Sequence, residues 1–426
     1  MNDKQPPKSI CILGRQPEIG LAELESLYGP EHVSRVSTGV AGLDLPVDQI
    51  DFDRLGGSTR LAEVLAEVPS KLWKDAEKQL AKEVVELAGQ LPEGKVQLGL
   101  STIGIPITPA KLNASGLTLK KILRGKTGRS VRLTPNPELE LNSASVLHNH
   151  LTGPTGIELL IIALEGGKTL IARTTAVQDI DGYAHRDQQR PKRDARIGML
   201  PPKLAQIIIN LAIGRLPTEL IKLTPLVAKD STPSLPNQVL DPFCGTGVIL
   251  QEAALMGYEV YGYDLDQRMI DYATTNLEWL SNHYGAHYGG KIDIHFNLSA
   301  GDATNTTYES TFLTTNTVIA SETYLGRPFT DRPSGEILAQ TASEVNLILK
   351  KFLRNIHKQL QPGTHLCLAI PAWQISPGQF KHLPLIDSLE DMGYNQTRFE
   401  HVQNHDLLYY REDQIVAREL LVITRK

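Results

Sequence analysis

Short apolar runs and amphipathic stretches succeed one another along this chain, and their spacing predicts most of its elements. The unbroken run SICILG (residues 9–14) reads as a strand. GLAELESLY (residues 20–28) places apolar residues at helical spacing and stops at Gly29-Pro30, a pair that breaks helices. Past Gly56, PSKLWKDAEKQLAKEVVELAGQL carries the same helical spacing, VQLGLSTIGI reads as a strand, and GLTLKKILRGKTG reads as a short basic helix ended by glycine. SVRLTP, GIELLIIAL and KTLIARTTAV complete a strand-rich region that closes near Val177. Between Gln178 and Leu200 the chain becomes charged and poor in apolar residues, which reads as a connector. Pro201 and Pro202 then open a helix through PPKLAQIIINLAIG, because proline forfeits no hydrogen bond in a first turn. From Val239 the strands VLDPF, EVYGYD, KIDIHFN, TVIASE and THLCLAIP alternate with helices over Gly247–Met256, Gln267–Leu280 and Gly335–Leu360. That alternation predicts a doubly wound α/β sheet. The expected division is a small α/β subdomain over 1–55, an α+β region over 56–177, a linker over 178–200 and the α/β domain over 201–426.

Composition sharpens this picture. A chain of 426 residues buries more than one core. Its opening lacks the long apolar run and small-residue cleavage pattern of a secretory leader, and no stretch approaches the roughly 20 apolar residues that span a bilayer. Cys11, Cys244 and Cys367 lie far apart with no metal-ligand spacing, so neither a disulfide framework nor a bound metal is expected, and a reducing cytoplasm fits best. A formal charge of −5 excludes an all-over basic surface, so any contact with nucleic acid must be local. Cations do outnumber acids between Lys71 and Arg132, where Lys120, Lys121, Arg124, Lys126 and Arg132 gather around one predicted helix. A solvated face is the competing reading of that bias.

The candidate chemistry centres on Asp241-Pro242-Phe243-Cys244-Gly245-Thr246-Gly247, between a short apolar strand and a helix. Gly245 and Gly247 let the backbone turn tightly against a ligand, and the helix start exposes unpaired N–H groups. A dinucleotide fingerprint needs a small residue where Leu250 stands, and a phosphate loop needs a lysine followed by serine or threonine, which is absent. The next strand ends in Asp264, with Asp266 close behind; an acid there accepts hydrogen bonds from ribose hydroxyls, or else caps the following helix. Gly301-Asp302-Ala303 follows the third strand and offers a further acid.

DPFCGTG, YGYDLD and AGDAT, in this order, resemble the first three motifs of class I S-adenosylmethionine-dependent methyltransferases. The resemblance implies a Rossmann-like C-terminal domain in which Asp241 and Phe243 shape the loop at the methionine part of the cofactor. It further implies that Gly245 and Gly247 frame the cofactor, Asp264 holds the ribose and Asp302 the adenine. GMLPPKLAQIIINLA and DQIVARELLVI resemble the first helix and final strand of archaeal-type tRNA guanosine-10 N2-methyltransferases. KKILRGKTGRSVRL, LNSASVLHNHL and LLIIALEGGKTLIARTTAVQDI resemble their THUMP domain, an RNA-binding module. The partner implied is tRNA or another structured RNA, the cofactor S-adenosylmethionine, with no membrane and no metal.

One motif departs from that family. Enzymes that methylate an exocyclic amine carry (D/N)PP(Y/F) after the fourth strand, whereas this chain reads Ala320-Ser321-Glu322-Thr323-Tyr324-Leu325-Gly326-Arg327-Pro328. Tyr324 matches the aromatic position, and Ser321 stands where the acid belongs. Either Glu322 supplies the acceptor from one position later, with Tyr324 stacking on the base and Arg327 near phosphate, or the loop no longer holds the amine. Methylation of guanine N2 in tRNA is the expected reaction. A ribosomal RNA methyltransferase, a binding protein with a decayed loop and a DNA amine methyltransferase are the alternatives. Cys244 and Cys367 make poor nucleophiles, one inside the loop and one in an apolar strand. In the connector, His185, Arg186, Arg190, Lys192 and Arg193 either touch RNA phosphate or form a salt-bridged linker.

Overall fold

The computed structural model of the chain describes residues 6–194, 200–216, 236–284, 292–309, 313–329, 331–412 and 414–426. The chain divides into two compact units. Unit 1 draws on Met1–Pro17, Glu31–Asp53 and Ser58–Ile180, and unit 2 on Glu18–Pro30, Arg54–Gly57 and Asp181–Lys426. Residues 1–55 therefore do not form a subdomain of their own.

Unit 1 is built on eight strands: β1 (Ser9–Leu13), β2 (Val33–Ser37), β3 (Val40–Leu43), β4 (Ser58–Val68), β5 (Val96–Ile103), β6 (Val131–Leu133), β7 (Gly156–Ala163) and β8 (Thr169–Val177). They lie in the order β2-β3-β1-β4-β8-β7-β5-β6. β5 runs parallel to β6 and β7, and the remaining pairs are antiparallel. The first helix of the chain, α1 (Pro17–Tyr28), lies almost wholly in unit 2, and α2 (Trp73–Gln90), α3 (Pro109–Thr127) and α4 (Ser143–His148) lie in unit 1. Leu80, Val84, Leu112, Leu119 and Leu123 from α2 and α3 share a core with Leu98, Leu159 and Ile161 of the sheet. Leu160 and Ile162 face the other way, with Ile10, Ile12, Val40 and Ala62. A strand buried on both faces explains the continuous run GIELLIIA.

α3 starts earlier than the run GLTLKK suggests. Thr108 accepts a hydrogen bond from the Lys111 N–H, Pro109 occupies the first turn, and Gly128 closes the helix at φ +69°. Glu158, wholly buried on β7, accepts hydrogen bonds from Ser101 Oγ on β5 (2.7 Å), Thr174 Oγ1 on β8 (2.6 Å) and Arg60 Nη1 on β4 (3.2 Å). One carboxylate thus ties four adjacent strands together.

Unit 2 carries α5 (Ile180–Gln188), which begins at the unit boundary, and then α6 (Pro202–Ile213), α7 (Val248–Leu255), α8 (Gln267–Trp279) and α9 (Gly335–His357). Its main strands are β9 (Gln238–Asp241), β10 (Glu259–Asp264), β11 (Phe296–Ala300), β12 (Thr317–Glu322), β13 (His365–Ser376), β14 (Gln379–Lys381), β15 (Tyr394–Gln396), β16 (Leu408–Tyr409) and β17 (Val416–Arg425). The sheet order is β11-β10-β9-β12-β13-β17-β15. β9 to β13 are parallel and β17 runs antiparallel between β13 and β15. This is a Rossmann-like α/β fold. The chain leaves β9 toward β10 on one side and later returns to β12 on the other, so a crevice opens at the carboxyl ends of β9 and β12. The third strand falls on Phe296–Ala300 and excludes the IDIH part of the predicted run KIDIHFN.

α1 is buried along nearly its whole length, which a surface helix would not be. Its Glu23, fully buried, accepts from the N–H groups of Gly56 (3.0 Å) and Gly57 (2.8 Å) and from Asn210 Nδ2 on α6 (2.7 Å). Burial pushes the Glu23 carboxyl up to about 7. Residues 180–188, inside the stretch that reads as a connector, are helical, and Arg186 pairs with the buried Glu252 of α7 at 2.7 Å. Asn276 on α8 accepts from the Lys192 N–H and donates to the carbonyls of Lys192 and Thr246, so the charged stretch packs as part of unit 2.

Substituting Glu158→Leu strands the Arg60 charge in the core of unit 1, with only the half-exposed Glu140 carboxylate left beside it at 3.5 Å. It is expected to cost about 3 kcal/mol in urea unfolding. The double variant Arg60→Met with Glu158→Leu is expected to recover most of that loss, since neither charge is then left buried alone.

Candidate active site

The crevice is an open cleft of about 1200 Å³ within unit 2. Its lining includes Asp241–Thr246, Asp264–Met269, Gly301–Thr304 and Glu322–Pro328, with Leu200, Ile348 and Lys351 at its edges. Four loops that follow parallel strands therefore converge on one space.

Asp241 ends β9 and is 2% exposed. Its Oδ1 accepts from Ser321 Oγ at 2.6 Å and from the Phe243 N–H at 3.1 Å. Burial pushes this carboxyl up to about 7, opposed by those two donors and reinforced by the charges of Asp264 and Glu322. Gly245 and Gly247 adopt φ +51° and +84°, the left-handed region where a side chain is strained. A Cβ on Gly245 would meet nothing within 4 Å, whereas one on Gly247 would press on Ala273 of α8 at 3.1 Å. Gly245 thus leaves its space to the cleft, and Gly247 sets the packing of two helices.

Asp264 ties the loops together. Its Oδ2 accepts from the Gly245 N–H at 3.0 Å and its Oδ1 from the Asp266 N–H at 2.9 Å, while burial raises its pKa. Asp266 is the residue that caps α8, through the Arg268 N–H at 2.9 Å. Asp302 closes its own turn by accepting from the Thr304 N–H at 2.9 Å. Leu265 stands 78% exposed at the cleft, between the two acids. An apolar side chain left in water at a cleft wall suits the flat face of a ligand.

On the opposite wall Glu322 ends β12 and receives Arg418 Nε of β17 at 2.6 Å. Thr323 donates both its N–H and its hydroxyl to the Ala369 carbonyl, which extends the strand pairing by one residue. Tyr324 is 45% exposed at the rim, and the Arg327 guanidinium lies 5.5 Å from the Phe329 ring centre.

The structure brings Asp241, Phe243, Gly245, Asp264, Asp302, Glu322, Tyr324 and Arg327 to the one cleft. It does not bring Ser321 there. That side chain is fully buried with its hydroxyl on Asp241, because consecutive strand residues face opposite ways and Glu322 takes the open side. Lys121, Arg124, Lys126 and Arg132 are exposed on α3 and β6 of unit 1, with Lys120 half-buried beside them. Arg186 needs correction as an RNA contact: it is 6% exposed and committed to Glu252. Burial raises the thiol pKa of both Cys244 and Cys367, which leaves neither a ready nucleophile. Leu265, Ile348, Lys351 and Arg418 escape a reading of sequence. Only the short spacing from Asp264 could have pointed to Leu265; the others reach the site through α9 and β17, far away in sequence.

The donor set fits a cation. Asp241, Asp264, Asp302 and Glu322 surround the cleft, an arrangement that repels a pyrophosphate and suits the sulfonium and ammonium charges of S-adenosylmethionine, with Gly245 leaving the loop backbone open. No group of three or more histidine, cysteine, aspartate or glutamate side chains poised for a metal occurs among the described residues, and no described helix is long and apolar enough to cross a membrane.

Residues 230–375 match the RMKL-like methyltransferase domain family. A tRNA (guanine(10)-N2)-dimethyltransferase of Methanothermobacter thermautotrophicus is 30% identical over 190 residues, 44% of this chain and 44% of that protein. The enzyme of the same name from Pyrococcus abyssi is 33% identical over 105 residues, 25% of this chain and 22% of its own. The chain thus spans less than half the length of these curated relatives. The crystal structure of TrmN from Thermus thermophilus aligns at 17% identity and a TM-score of 0.48, covering 98% of this chain and 99% of that one. Most of the residues that line the cleft fall within the stretch that this family model matches.

Proposed function

We propose that this protein is an S-adenosylmethionine-dependent RNA methyltransferase that acts on the exocyclic N2 amine of a guanosine in tRNA. The observation that carries the reading is the joining of an acid-lined cofactor cleft to a wall bearing Glu322 and the exposed ring of Tyr324. When bound, the sulfonium supplies an activated methyl, whose transfer breaks a C–S bond and forms a C–N bond. The chain's residues have to position the amine and accept its proton. Glu322 is the acceptor, and Tyr324 stacks on a base drawn out of its helix. Asp241 shapes the loop at the cationic end of the cofactor, Asp264 holds the ribose, and Asp302 the adenine.

The names of the relatives support tRNA as the substrate. Unit 1 is proposed as a THUMP-type RNA-binding region, with Lys120, Lys121, Arg124, Lys126 and Arg132 on phosphate, and Arg327 is proposed to lie near phosphate at the cleft. The protein is proposed to work in the cytoplasm, in keeping with three buried free cysteines. A second reading, an RNA-binding protein that holds the cofactor without turnover, draws on Ser321 at the acid's place and on the engagement of Glu322 by Arg418.

Purified protein given labelled S-adenosylmethionine and unmodified tRNA is expected to yield N2-methylguanosine on nucleoside analysis, and Tyr324→Ala is expected to lower turnover while cofactor binding persists. Cofactor binding without transfer to tRNA would favour the second reading. Asp264→Ala is expected to weaken S-adenosylmethionine binding by about 10- to 100-fold in calorimetry, since it removes the ribose acceptor and the anchor of the Gly245 loop.

The carboxyl of Asp241 also sets a pH dependence. A bound cation favours its ionised form, so protonation below pH 7 opposes binding. The cofactor's affinity is expected to fall about tenfold from pH 8 to pH 6, and Asp241→Asn is expected to abolish that slope. A flat profile in the unsubstituted protein would remove Asp241 from the cationic end of the cofactor.

A further inference from the structure

Arg418 has no counterpart in the motifs that define the cleft, yet it touches the acid at its wall. It lies on β17 opposite Pro371 of β13, while Glu322 is the last residue of β12 to pair with β13, opposite Ala369. The arginine side chain therefore reaches over an intervening strand to place Nε 2.6 Å from Glu322 Oε1. Its side chain is 7% exposed and that of Glu322 17%.

Such a pair is a costly way to fill the space. A guanidinium stays charged at any ordinary pH, and burying it exacts a desolvation penalty that well-packed apolar residues would avoid. The arrangement is explained by what it leaves. Oε1 is taken by Arg418, and among the described residues Oε2 accepts no hydrogen bond. Glutamate has three side-chain torsions, and without an anchor its carboxylate samples several rotamers.

We propose that Arg418 is a positioning residue, which pins Glu322 through Oε1 so that Oε2 is held to receive an N–H of the substrate amine. The inference rests on the proposed methylation reading. As the nitrogen forms its bond to the methyl and the C–S bond breaks, the nitrogen gains positive charge, and one of its protons passes to Oε2 and then to water. The pair also accounts for the shifted motif: with Ser321 turned inward onto Asp241, the acceptor comes from the next residue, which needs an anchor that the usual prolines do not provide here.

The test compares Arg418→Met, Arg418→Lys, Glu322→Ala and the double variant Arg418→Met with Glu322→Ala in the full chain, with cofactor binding and thermal unfolding measured beside steady-state kinetics on tRNA. Arg418→Met is expected to lower kcat by about 10- to 100-fold with KM for tRNA and cofactor affinity little changed. Arg418→Lys should recover part of that loss, as a point charge replaces a planar fork. The double variant should be no slower than Glu322→Ala alone, because a residue acting only through Glu322 has nothing left to position. Undiminished kcat in Arg418→Met, or losses that multiply in full in the double variant, would overturn the inference and leave the methylation reading standing. Absence of transfer by the unsubstituted protein would overturn the methylation reading and this inference together.

Discussion

A buried carboxylate at the point where the strand order reverses organises unit 2. Asp241 gives up nearly all its hydration, and the loss is offset by two donors, the Phe243 N–H from its own loop and the Ser321 hydroxyl from the neighbouring strand. That bond holds the carboxyl ends of β9 and β12 together beneath the cleft. With Asp241 in place, Asp264 engages the next turn through Gly245, so strand ends that are distant in sequence meet as one continuous wall. Burial, reinforced by the charges of Asp264 and Glu322, raises the affinity of Asp241 for protons, and the cleft is thereby poised for a ligand that brings positive charge.

The same economy of polar groups recurs away from the cleft. Glu158 spans four strands of unit 1 with three side-chain donors. Glu23 closes a glycine turn and the α6 amide in unit 2, and there a Cβ on Gly56 would lie 2.0 Å from the Lys203 carbonyl. In each case a carboxylate is tolerated inside because three donors meet it. Each fixes the relation of segments that the apolar pattern would allow to slide, which a hydrophobic core, being non-directional, does not do unaided.

The wall at the end of β12 shows how a departed motif rearranges its side chains. Prolines would end the fourth strand abruptly, yet here Thr323 continues the pairing to Ala369, and the strand runs one residue further. Alternation along that strand then decides which side chain meets the cleft: Ser321 turns inward and Glu322 outward. Which of the two neighbours lines the cleft follows from the pleat.

The sequence alone determined the elements with strong periodicity and the glycine loop that lines the cleft. Alternating strands and helices after Val239 dictate a doubly wound sheet, and glycines beside an acid at a strand end imply a tight ligand-facing turn, since both signals are local in the chain. It also carried Asp264, Tyr324 and Glu322 to the cleft, because each sits at or just beyond the end of a recognisable strand. What only the tertiary structure decided were relations between segments distant along the chain. The placing of α1 in unit 2, the burial of Arg186 against Glu252, the inward turn of Ser321 and the reach of Arg418 to Glu322 each depend on a partner remote in sequence or on the direction of a pleat. A charged residue reads the same in sequence whether it faces water or a buried counter-charge, and only packing separates the two.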